Sequence, residues 1–487
     1  MYRKTLFYLV ILTSSLVGIF STGCKKTPVA PPAPPVVTAA DLSKDTMFYL
    51  FKDEYFFTQN IPAYNVVNPR SFANLDSLFN KLVKYQTNPL DRYSFRDASG
   101  TVSSTIGQGL SQGDFGIDVY WNYLNDLRVI DVTKGSPADL LYGIKRGWQI
   151  TAINGNTNIT YDGSQVSGPS TNFNRIYNAV YNSNSASFVF QKPDGTSVTD
   201  VINRASYSIN PITFDTVFTF GARKIGYIVL KEFIDLSVIQ TQVDAAFQYF
   251  ENNGITDLIV DLRYNGGGSV ATSEYFANKI APKNVGTKTT VMYKDTYNAN
   301  LTSHVYSPFS TITRTPYSDY TTWAAVFNYI GGVTTTNFTK AGNLDIQNVV
   351  FLVTGNTASA SELLINNLTP HMTVSTIGQT TYGKPFAFFP ITVGGVDMYA
   401  ISMKTVNSLN YGEYYSGMTP TVSIQYEDYS KTYGALDEPF LQQALVTLGV
   451  KSLPITPKAL TMPVGNYVKS KFSRGFKGMI EYRKTKF

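Results

Sequence analysis

Apolar positions recur with different periods in successive parts of the chain. Residues 41–104 begin with DTMFYLFKDEYFF, in which aromatic residues and Leu recur every three to four positions, so a helical region is predicted. Its aromatic side chains are expected to pack in a core, with ligand binding as the alternative. Residues 105–205 change to short strands bounded by turn residues, among them the alternating strand ITAIN and its turn Asn154-Gly155.

From about residue 206, apolar strands alternate with helical segments. The predicted elements are the strands KIGYIVLKEF (224–233), LIVDLRYNGGG (258–268) and VVFLVTG (349–355), and the amphipathic helix VIQTQVDAAFQYFENNG (238–254). This alternation predicts an α/β domain with its functional groups at the carboxyl ends of the strands. Residues 269–347 show no strong period and are compatible with a lid, an inserted hairpin or a decorated surface.

The N-terminus has the pattern of an export signal. Basic MYRK precedes 15 mostly apolar residues and then STGC, which ends in the only cysteine of the chain, Cys24. STGC resembles a bacterial lipobox, so residues 1–24 are predicted to be a signal peptide with lipidation at Cys24; an ordinary secreted protein with a chance cysteine is the alternative. Residues 25–40 contain five prolines and predict an extended spacer. The sequence therefore predicts an exported lipoprotein of a bacterial cell envelope, tethered to a membrane on its periplasmic or outer face.

Length and charge narrow the class of protein. A chain of 487 residues predicts two or three domains. Residues 451–487 carry nine Lys or Arg against one Glu, whereas the other residues sum to −2 of the net +6. A near-neutral body argues against nucleic-acid binding, and the basic tail is expected to be solvated or to lie near anionic lipid. Two histidines and one cysteine argue against a metal site, and no cofactor is predicted.

Two strand ends carry candidate chemistry. After Asp261, three glycines at 266–268 would let the backbone turn sharply and point amides at a small anionic group, although a plain tight turn has the same pattern. In NTASASELLINN (356–367), the spacing of Ser359 and Glu362 fits a helix capping box. The same position would put the Ser359 hydroxyl beside unpaired helix amides, which favour a developing oxyanion. These residues alone leave two roles open for Ser359, a helix cap and a nucleophile.

A serine nucleophile needs a base, and the candidates are few. His304 and His371 are the only histidines, and neither stands in a recognisable motif. Lys384 follows Gly383 in a turn between two predicted strands, where an exposed lysine is the ordinary alternative. Desolvation would lower the pKa of Lys384, as a neutral general base requires, through three aromatic neighbours: Tyr382, Phe386 and Phe388.

Part of the upstream region resembles a PDZ domain of the type found in bacterial proteases. FGIDV (115–119), the helix start GSPA and the segment GIKRGWQI follow in the order of that fold. The resemblance implies that a peptide C-terminus adds as a strand. Its carboxylate would be held by backbone amides near Phe115, Gly116 and Ile117. A small β-rich domain without a ligand is the alternative.

The motifs VDLRYNGGG, TASASE and TYGK, with Lys384 standing 25 residues after Ser359, resemble the C-terminal processing peptidases, or tail-specific proteases. The closing segments GEYYSGMTP (412–420) and LDEPFLQQAL (436–445) also fit. The resemblance implies an α/β crotonase-like protease core, an inserted-type PDZ domain and an N-terminal helical cap. The implied boundaries are a cap over 41–104, a PDZ domain over 105–205, a core over 206–450 and a basic tail over 451–487.

The family's catalytic roles transfer to matching positions of this chain. The resemblance implies Ser359 as nucleophile and Lys384 as base. The oxyanion hole would use the amide of Ala360 and one from the glycines, with Gly266 and Gly267 as the candidates.

One position departs from the family pattern. Members with a Ser-Lys-Gln triad have Gln four residues after the lysine, where this chain has Phe388. Three nearby residues are candidates to replace it as the partner of the lysine: Gln379, Thr380 and Tyr382.

The resulting prediction is a serine endopeptidase of the cell envelope that acts on polypeptides, captured through their C-termini, without metal or nucleotide. The alternative is a catalytically inactive lipoprotein of the same fold that binds peptides or scaffolds a complex. A surface glycan-binding protein is a weaker third class, suggested only by the 34 tyrosines. The oligomeric state is not predicted.

Overall fold

The structure is a computed structural model, and it describes residues 37–86, 91–163, 171–285, 289–311, 322–332, 334–451, 453 and 476–481. By their contacts the residues divide into Met1–Ala39 and Ala40–Phe487. The predicted signal peptide, Cys24 and most of the proline-rich spacer lie outside the described residues. The first described helix starts at Ala39, slightly before the predicted end of the spacer.

The helices are α1 (Ala39–Glu54), α2 (Tyr64–Val67), α3 (Leu75–Val83), α4 (Pro137–Leu140), α5 (Thr171–Tyr177), α6 (Leu236–Asn253), α7 (Val270–Ile280), α8 (Ala299–Ser303), α9 (Trp323–Gly332), α10 (Ala360–Leu368) and α11 (Pro439–Thr447). The strands are β1 (Phe95–Asp97), β2 (Leu110–Asp114), β3 (Ile117–Tyr123), β4 (Asp126–Val132), β5 (Gln149–Ile153), β6 (Ser185–Gln191), β7 (Ser197–Asn203), β8 (Ala205–Ser208), β9 (Ile212–Phe220), β10 (Arg223–Leu230), β11 (Asp257–Asp261), β12 (Gly267–Ser269), β13 (Val291–Tyr297), β14 (Thr335–Asn337), β15 (Asn348–Val353), β16 (Thr373–Gly378), β17 (Phe386–Ala387), β18 (Ile391–Val393), β19 (Val396–Tyr399), β20 (Met403–Asn407), β21 (Val422–Ser423) and β22 (Gly478–Ile480).

A six-stranded sheet forms the centre of the α/β region, in the order β21-β16-β15-β11-β10-β9. Its strands from β10 to β21 pair in parallel, and β9 pairs antiparallel with β10. Successive side chains of each strand enter different cores, as Ile259 and Val260 show. Because both faces are covered, the central strands consist of almost continuous apolar residues. The predicted α/β alternation is therefore confirmed, and the loops after Asp261 and Val353 leave neighbouring strands.

The helix that connects β10 to β11 shows how local signals set the boundaries. Asp235 caps α6 by accepting the N–H of Ser237 (3.1 Å). Gly254 closes the helix with φ of 63°, a left-handed conformation that glycine adopts without steric cost. The helix predicted over 238–254 is confirmed, with its start two residues earlier.

Residues 105–205, predicted as a PDZ domain, contain a five-stranded antiparallel sheet in the order β3-β4-β5-β6-β7. A separate hydrophobic core lies under it and includes Phe115, Ile150 and Phe173 of α5. Ser136 begins α4 by accepting the N–H of Asp139, as the GSPA segment predicted. β3 lies at the edge of this sheet and, among the described strands, pairs only with β4.

The N-terminal helices share their core with the central sheet. Phe48 and Phe51 of α1 are buried in the same cluster as Phe351 of β15. β1 further joins this region to the C-terminal half by pairing antiparallel with β19. The predicted burial of the N-terminal aromatic residues is confirmed.

Two regions contain structure that the sequence pattern does not predict. Residues 269–347, a segment for which the pattern leaves a lid, an inserted hairpin and a decorated surface open, contain α7, β13, α8, α9 and β14. Its helices and strands are short and packed on several sides, which obscures their period in the sequence. The sequence predicts a basic tail that is solvated or lies near anionic lipid, but residues 476–481 of this tail include a buried strand, β22, whose backbone pairs with β12.

Candidate active site

Ser359 stands between the end of β15 and the start of α10. Its backbone has φ of 59° and ψ of −103°, a combination that residues other than glycine rarely adopt. The side chain is fully buried, and its Oγ has no hydrogen-bond partner among the described residues. Such a strained strand-to-helix turn holds the hydroxyl at a fixed point beside the first amide of the helix.

Only half of the predicted capping box is formed. The Glu362 carboxylate accepts the Ser359 N–H (2.7 Å), as a capping box requires. The Ser359 hydroxyl does not bond the helix in return. The backbone conformation of Ser359 therefore leaves its Oγ available for another role.

Lys384 lies after β16 in a turn that includes Gly383, whose φ is 87°. Its side chain is fully buried, and burial lowers the pKa of the amine well below its usual value. The carboxylates of Asp91 and Glu362 oppose this change only in part. A neutral amine, which a general base requires, is therefore favoured.

The amine of Lys384 does not bond Ser359 in this structure. Nζ donates to the backbone oxygen of Lys477 (3.1 Å) and lies 3.4 Å from the centroid of the Phe388 ring. Phe388, which stands where the resemblance implies Gln in members with a Ser-Lys-Gln triad, thus presents an apolar ring to the amine. The acceptor of the Lys384 amine is the Lys477 oxygen. It is none of the three residues suggested as replacements for the Gln: Gln379, Thr380 and Tyr382.

Glu362 joins the two candidate residues through their backbones. Its Oε2 accepts the N–H of Ser359 (2.7 Å) and the N–H of Lys384 (2.9 Å). Its Oε1 accepts the Gly383 N–H (2.7 Å) and the Thr381 hydroxyl. Burial raises the pKa of Glu362, while these hydrogen bonds lower it. The local sequence pattern predicts only a helix cap at Glu362, because it does not reveal the bonds of this carboxylate to residues 381–384.

The glycine turn lies directly against the start of α10. Gly267 has φ of 110°, and a Cβ atom added to it would lie 3.0 Å from the Ala360 nitrogen and 2.2 Å from the Gly478 oxygen. Glycine is therefore required on both conformational and steric grounds. The predicted oxyanion residues Ala360 and Gly267 are neighbours, and the Ala360 amide is the first of its helix, where no intrahelical acceptor exists.

Asn265 fastens this turn to the serine loop. Its Oδ1 accepts the Gly267 N–H (2.8 Å) and the Ser361 hydroxyl (3.0 Å), and its backbone oxygen accepts the Ala358 N–H (3.1 Å). The Gly267 amide is thus engaged by Asn265 rather than open to a ligand in this structure. Gly266, the other candidate, lies against the tail, since a Cβ atom there would come within 1.8 Å of the Phe476 oxygen.

Buried ion pairs surround the residues that precede the glycine turn. Arg263 donates to Asp261 (2.6 Å) and Glu438 (2.8 Å), and both partners are buried. Arg146, from the region of residues 105–205, donates to Glu427 (2.8 Å) and to the Tyr264 hydroxyl (2.9 Å). Each guanidinium therefore has a compensating partner, as buried charge requires.

The two histidines form hydrogen bonds with residues other than Ser359 and Lys384. His304 Nδ1 bonds the Tyr306 hydroxyl (3.1 Å) and His371 Nε2 bonds the Ser408 hydroxyl (3.1 Å). Among the residues that the structure describes, no group of three or more His, Cys, Asp or Glu side chains could hold a metal ion. No helix within that same set combines the length and the apolar character needed to cross a membrane.

The three residues predicted to hold a peptide carboxylate line a cavity of about 360 Å³. Phe115 and Ile117 flank Gly116, which has φ of 80°. The same cavity is lined by Tyr264 of the glycine loop and by Asn356, three residues before Ser359. On the edge strand β3, the Val119 N–H donates to the Tyr181 hydroxyl (3.1 Å), so a side chain holds an amide that an added strand would use.

The fold and the site are those of an α/β protein with a serine at a strand-to-helix junction and a desolvated lysine beside it. Residues 224–424 match the sequence model of Peptidase family S41. This part of the chain is an S41 peptidase domain, and the predicted resemblance to the C-terminal processing peptidases is confirmed at the level of the family.

Two solved structures are similar to this chain over most of its length. A Bacteroides fragilis protein described as an S41 protease is 18% identical with a TM-score of 0.59, over 87% of this chain and 100% of its own. The photosystem II D1 C-terminal processing protease is 16% identical with a TM-score of 0.44, over 80% of this chain and 94% of its own. The first similarity shows a shared fold. No curated protein sequence matches the chain.

Proposed function

We propose that the protein is a serine endopeptidase in which Ser359 is the nucleophile and Lys384 the general base. The observation that carries this proposal is the shared acceptor, since Glu362 Oε2 holds the backbone amides of both residues within one S41 domain. Glu362 acts here as a positioning residue. The proposal requires the Lys384 amine to leave the Lys477 oxygen and to bond the Ser359 hydroxyl when substrate is bound.

The chemistry follows from these positions. Neutral Lys384 would take the Ser359 proton as Oγ attacks the scissile carbonyl, and the ammonium would then protonate the leaving amine. The carbonyl oxygen becomes negative in the tetrahedral intermediate, where the Ala360 amide and the positive end of α10 stabilise it. Water activated by the again neutral Lys384 would hydrolyse the acyl-enzyme. These steps need neither metal nor nucleotide.

The region of residues 105–205 would act as a PDZ domain that captures the C-terminus of the substrate. The supporting observation is the 360 Å³ cavity, which Phe115–Ile117 share with Tyr264 and Asn356 next to the site. A substrate strand that adds to β3 would replace Tyr181 as the partner of the Val119 N–H. The inactive alternative would use the same capture without hydrolysis, and Phe388 in place of Gln is the observation that favours it.

Hydrolysis and labelling of the mature protein distinguish the two functions. We expect cleavage of an unfolded casein and covalent labelling by a fluorophosphonate, with the label mapped to the peptide that contains Ser359. A disordered peptide with a free C-terminal carboxylate should show a lower KM than its C-terminal amide, at similar kcat. Absence of cleavage and labelling would favour the inactive alternative, and equal KM values would remove carboxylate capture.

We also propose that Cys24 carries a lipid that tethers the protein to a membrane of the cell envelope, with residues 25–40 as spacer. The supporting pattern is STGC after a short apolar run in a chain with a single cysteine. In a bacterial host, the full-length chain should incorporate labelled palmitate and sediment with membranes, and Cys24→Ser should lose both. Ser359→Ala serves as a control that keeps the lipid. Incorporation that survives in Cys24→Ser would contradict the assignment.

A further inference from the structure

Residues 476–481, here named the tail strand, form a strand beside the glycine turn. Within it, β22 pairs in parallel with β12, so that Gly478 stands opposite Gly267 and Ile480 opposite Ser269. The Gly478 N–H donates to the Gly266 oxygen (3.0 Å). The tail strand therefore extends a small sheet whose other member carries the predicted oxyanion glycines.

The opposite edge of the tail strand is also paired. The Phe388 N–H donates to the Met479 oxygen (2.9 Å), and the Glu481 N–H donates to the Phe388 oxygen (2.9 Å). Met479 and Ile480 are fully buried. Backbone pairing on two sides is the way in which an extended peptide is held in a cleft largely independently of its sequence.

Close packing of small residues makes this arrangement possible. A Cβ atom on Gly266 would come within 1.8 Å of the Phe476 oxygen, and one on Gly267 within 2.2 Å of the Gly478 oxygen. A Cβ atom on Gly478 would meet the Phe476 ring at 2.1 Å. The glycines of the turn thus let the backbone of the tail strand lie directly against them, whereas the clash at Gly478 arises within the tail strand itself.

The tail strand also contacts the candidate catalytic groups. The Lys477 oxygen accepts the hydrogen bond of Lys384 Nζ (3.1 Å), while Ser359 Oγ has no partner among the described residues. The Lys477 amine lies near the Gly355 oxygen (3.3 Å) and Asn356 Oδ1 (3.4 Å), just before Ser359. The base is thus bonded to the tail strand rather than to the nucleophile.

We infer that the tail strand occupies the cleft for the substrate backbone and inhibits the enzyme from within its own chain. This inference rests on the proposed function and names the substrate as an extended polypeptide with apolar residues at the positions of Met479 and Ile480. The tail strand is an inhibitor rather than a substrate, because its Lys477 carbonyl is bound to the base and not to an oxyanion amide. Hydrolysis requires the tail strand to leave.

Two truncations test this device. Removing residues 476–487 should increase kcat/KM for unfolded casein and the rate of fluorophosphonate labelling about tenfold or more, because a tethered segment competes at an effective concentration near the millimolar range. The matched control removes only residues 482–487, keeps the tail strand and should behave like the full chain. Equal rates for all three forms would overturn the inference and leave the proposed function standing.

A full-length variant tests the same inference without relying on the folding of a truncated chain. Gly478→Pro removes the N–H that bonds the Gly266 oxygen, so activity should rise partway toward that of the truncation. Lys486→Pro places the same residue outside the tail strand and should change nothing. No rise in Gly478→Pro, or an equal rise in Lys486→Pro, would contradict the inference.

A peptide added in trans separates failure of the inference from failure of the proposed function. A fluorescent peptide RGFKGMIEYR, residues 474–483, should bind the chain truncated before residue 476 and not the full chain, and proline at the position of Gly478 should weaken binding at least tenfold. Binding without any hydrolysis or labelling would refute the peptidase and keep the tail strand in its cleft. Hydrolysis without peptide binding would keep the peptidase and refute the tail strand as the occupant of its cleft.

Discussion

Ser359→Ala is expected to lower kcat on an unfolded polypeptide by about 10⁴-fold or more and to abolish fluorophosphonate labelling, as removal of a nucleophile does. The variant should remain folded, because the buried Oγ makes no hydrogen bond within the described residues. Labelling that persists in Ser359→Ala would show that another residue is the nucleophile.

The same position allows a test of stored strain. With φ of 59° and ψ of −103° at residue 359, Ser and Ala are both strained, whereas Gly is not. Ser359→Gly should therefore be more stable to unfolding than Ser359→Ala by about 1 kcal/mol, as strain relief of about 1–3 kcal/mol exceeds the entropic cost of glycine. Ser361, two residues later inside α10, is the matched control. There, Gly should be less stable than Ala by about 1 kcal/mol, since ordinary helical backbone favours Ala.

The second prediction concerns the proposed base. Lys384→Met should lower kcat by about 10³-fold, in the range that a general acid–base contributes. The activity of the native enzyme should rise with pH through the lowered pKa of Lys384 and then level off, because only the neutral amine accepts the Ser359 proton. A variant that keeps near-native activity across neutral pH would exclude Lys384 as the base.

Lys384→Met should raise stability at neutral pH although it lowers activity. Since the pKa of Lys384 is lowered in the folded state, the unfolded chain binds more protons between that lowered pKa and the usual value of 10.5. The free energy of unfolding therefore rises with pH across this window. Lys384→Met removes both the burial of the amine and this dependence, so its Tm should be higher at neutral pH. Measuring Tm against pH for both proteins checks the slope.

Lys404 offers a control with the opposite sign. Its hydrogen bonds and the Glu413 carboxylate raise its pKa despite partial burial, so folding favours its charged form. Lys404→Met should leave the Tm unchanged or lower it, and it should not weaken the dependence on pH that Lys384 causes. A gain of Tm in Lys404→Met as large as that in Lys384→Met would attribute the effect to general apolar substitution.

The local parts of the fold and site could be predicted from neighbouring residues. The strand before Gly266, the helix closed by Gly254 and the helix that follows Ser359 depend on apolar alternation, on a left-handed glycine and on a helix start. Each signal acts over a few residues and is therefore visible in the sequence. The spacing of Ser359 and Lys384 pointed to the same pair of strand ends that the structure brings together.

What the sequence by itself determined is thus the order of strands and helices, the glycine turn and the two candidate catalytic residues. Only the tertiary structure decided that Glu362 holds both of their amides and that the tail strand bonds the amine of Lys384. The bond from Lys384 N–H to Glu362 joins residues 22 positions apart, and the bond from Lys384 Nζ to Lys477 joins residues 93 positions apart. Hydrogen bonds and packing of that kind depend on how the strands and loops meet in space, and no local period records them.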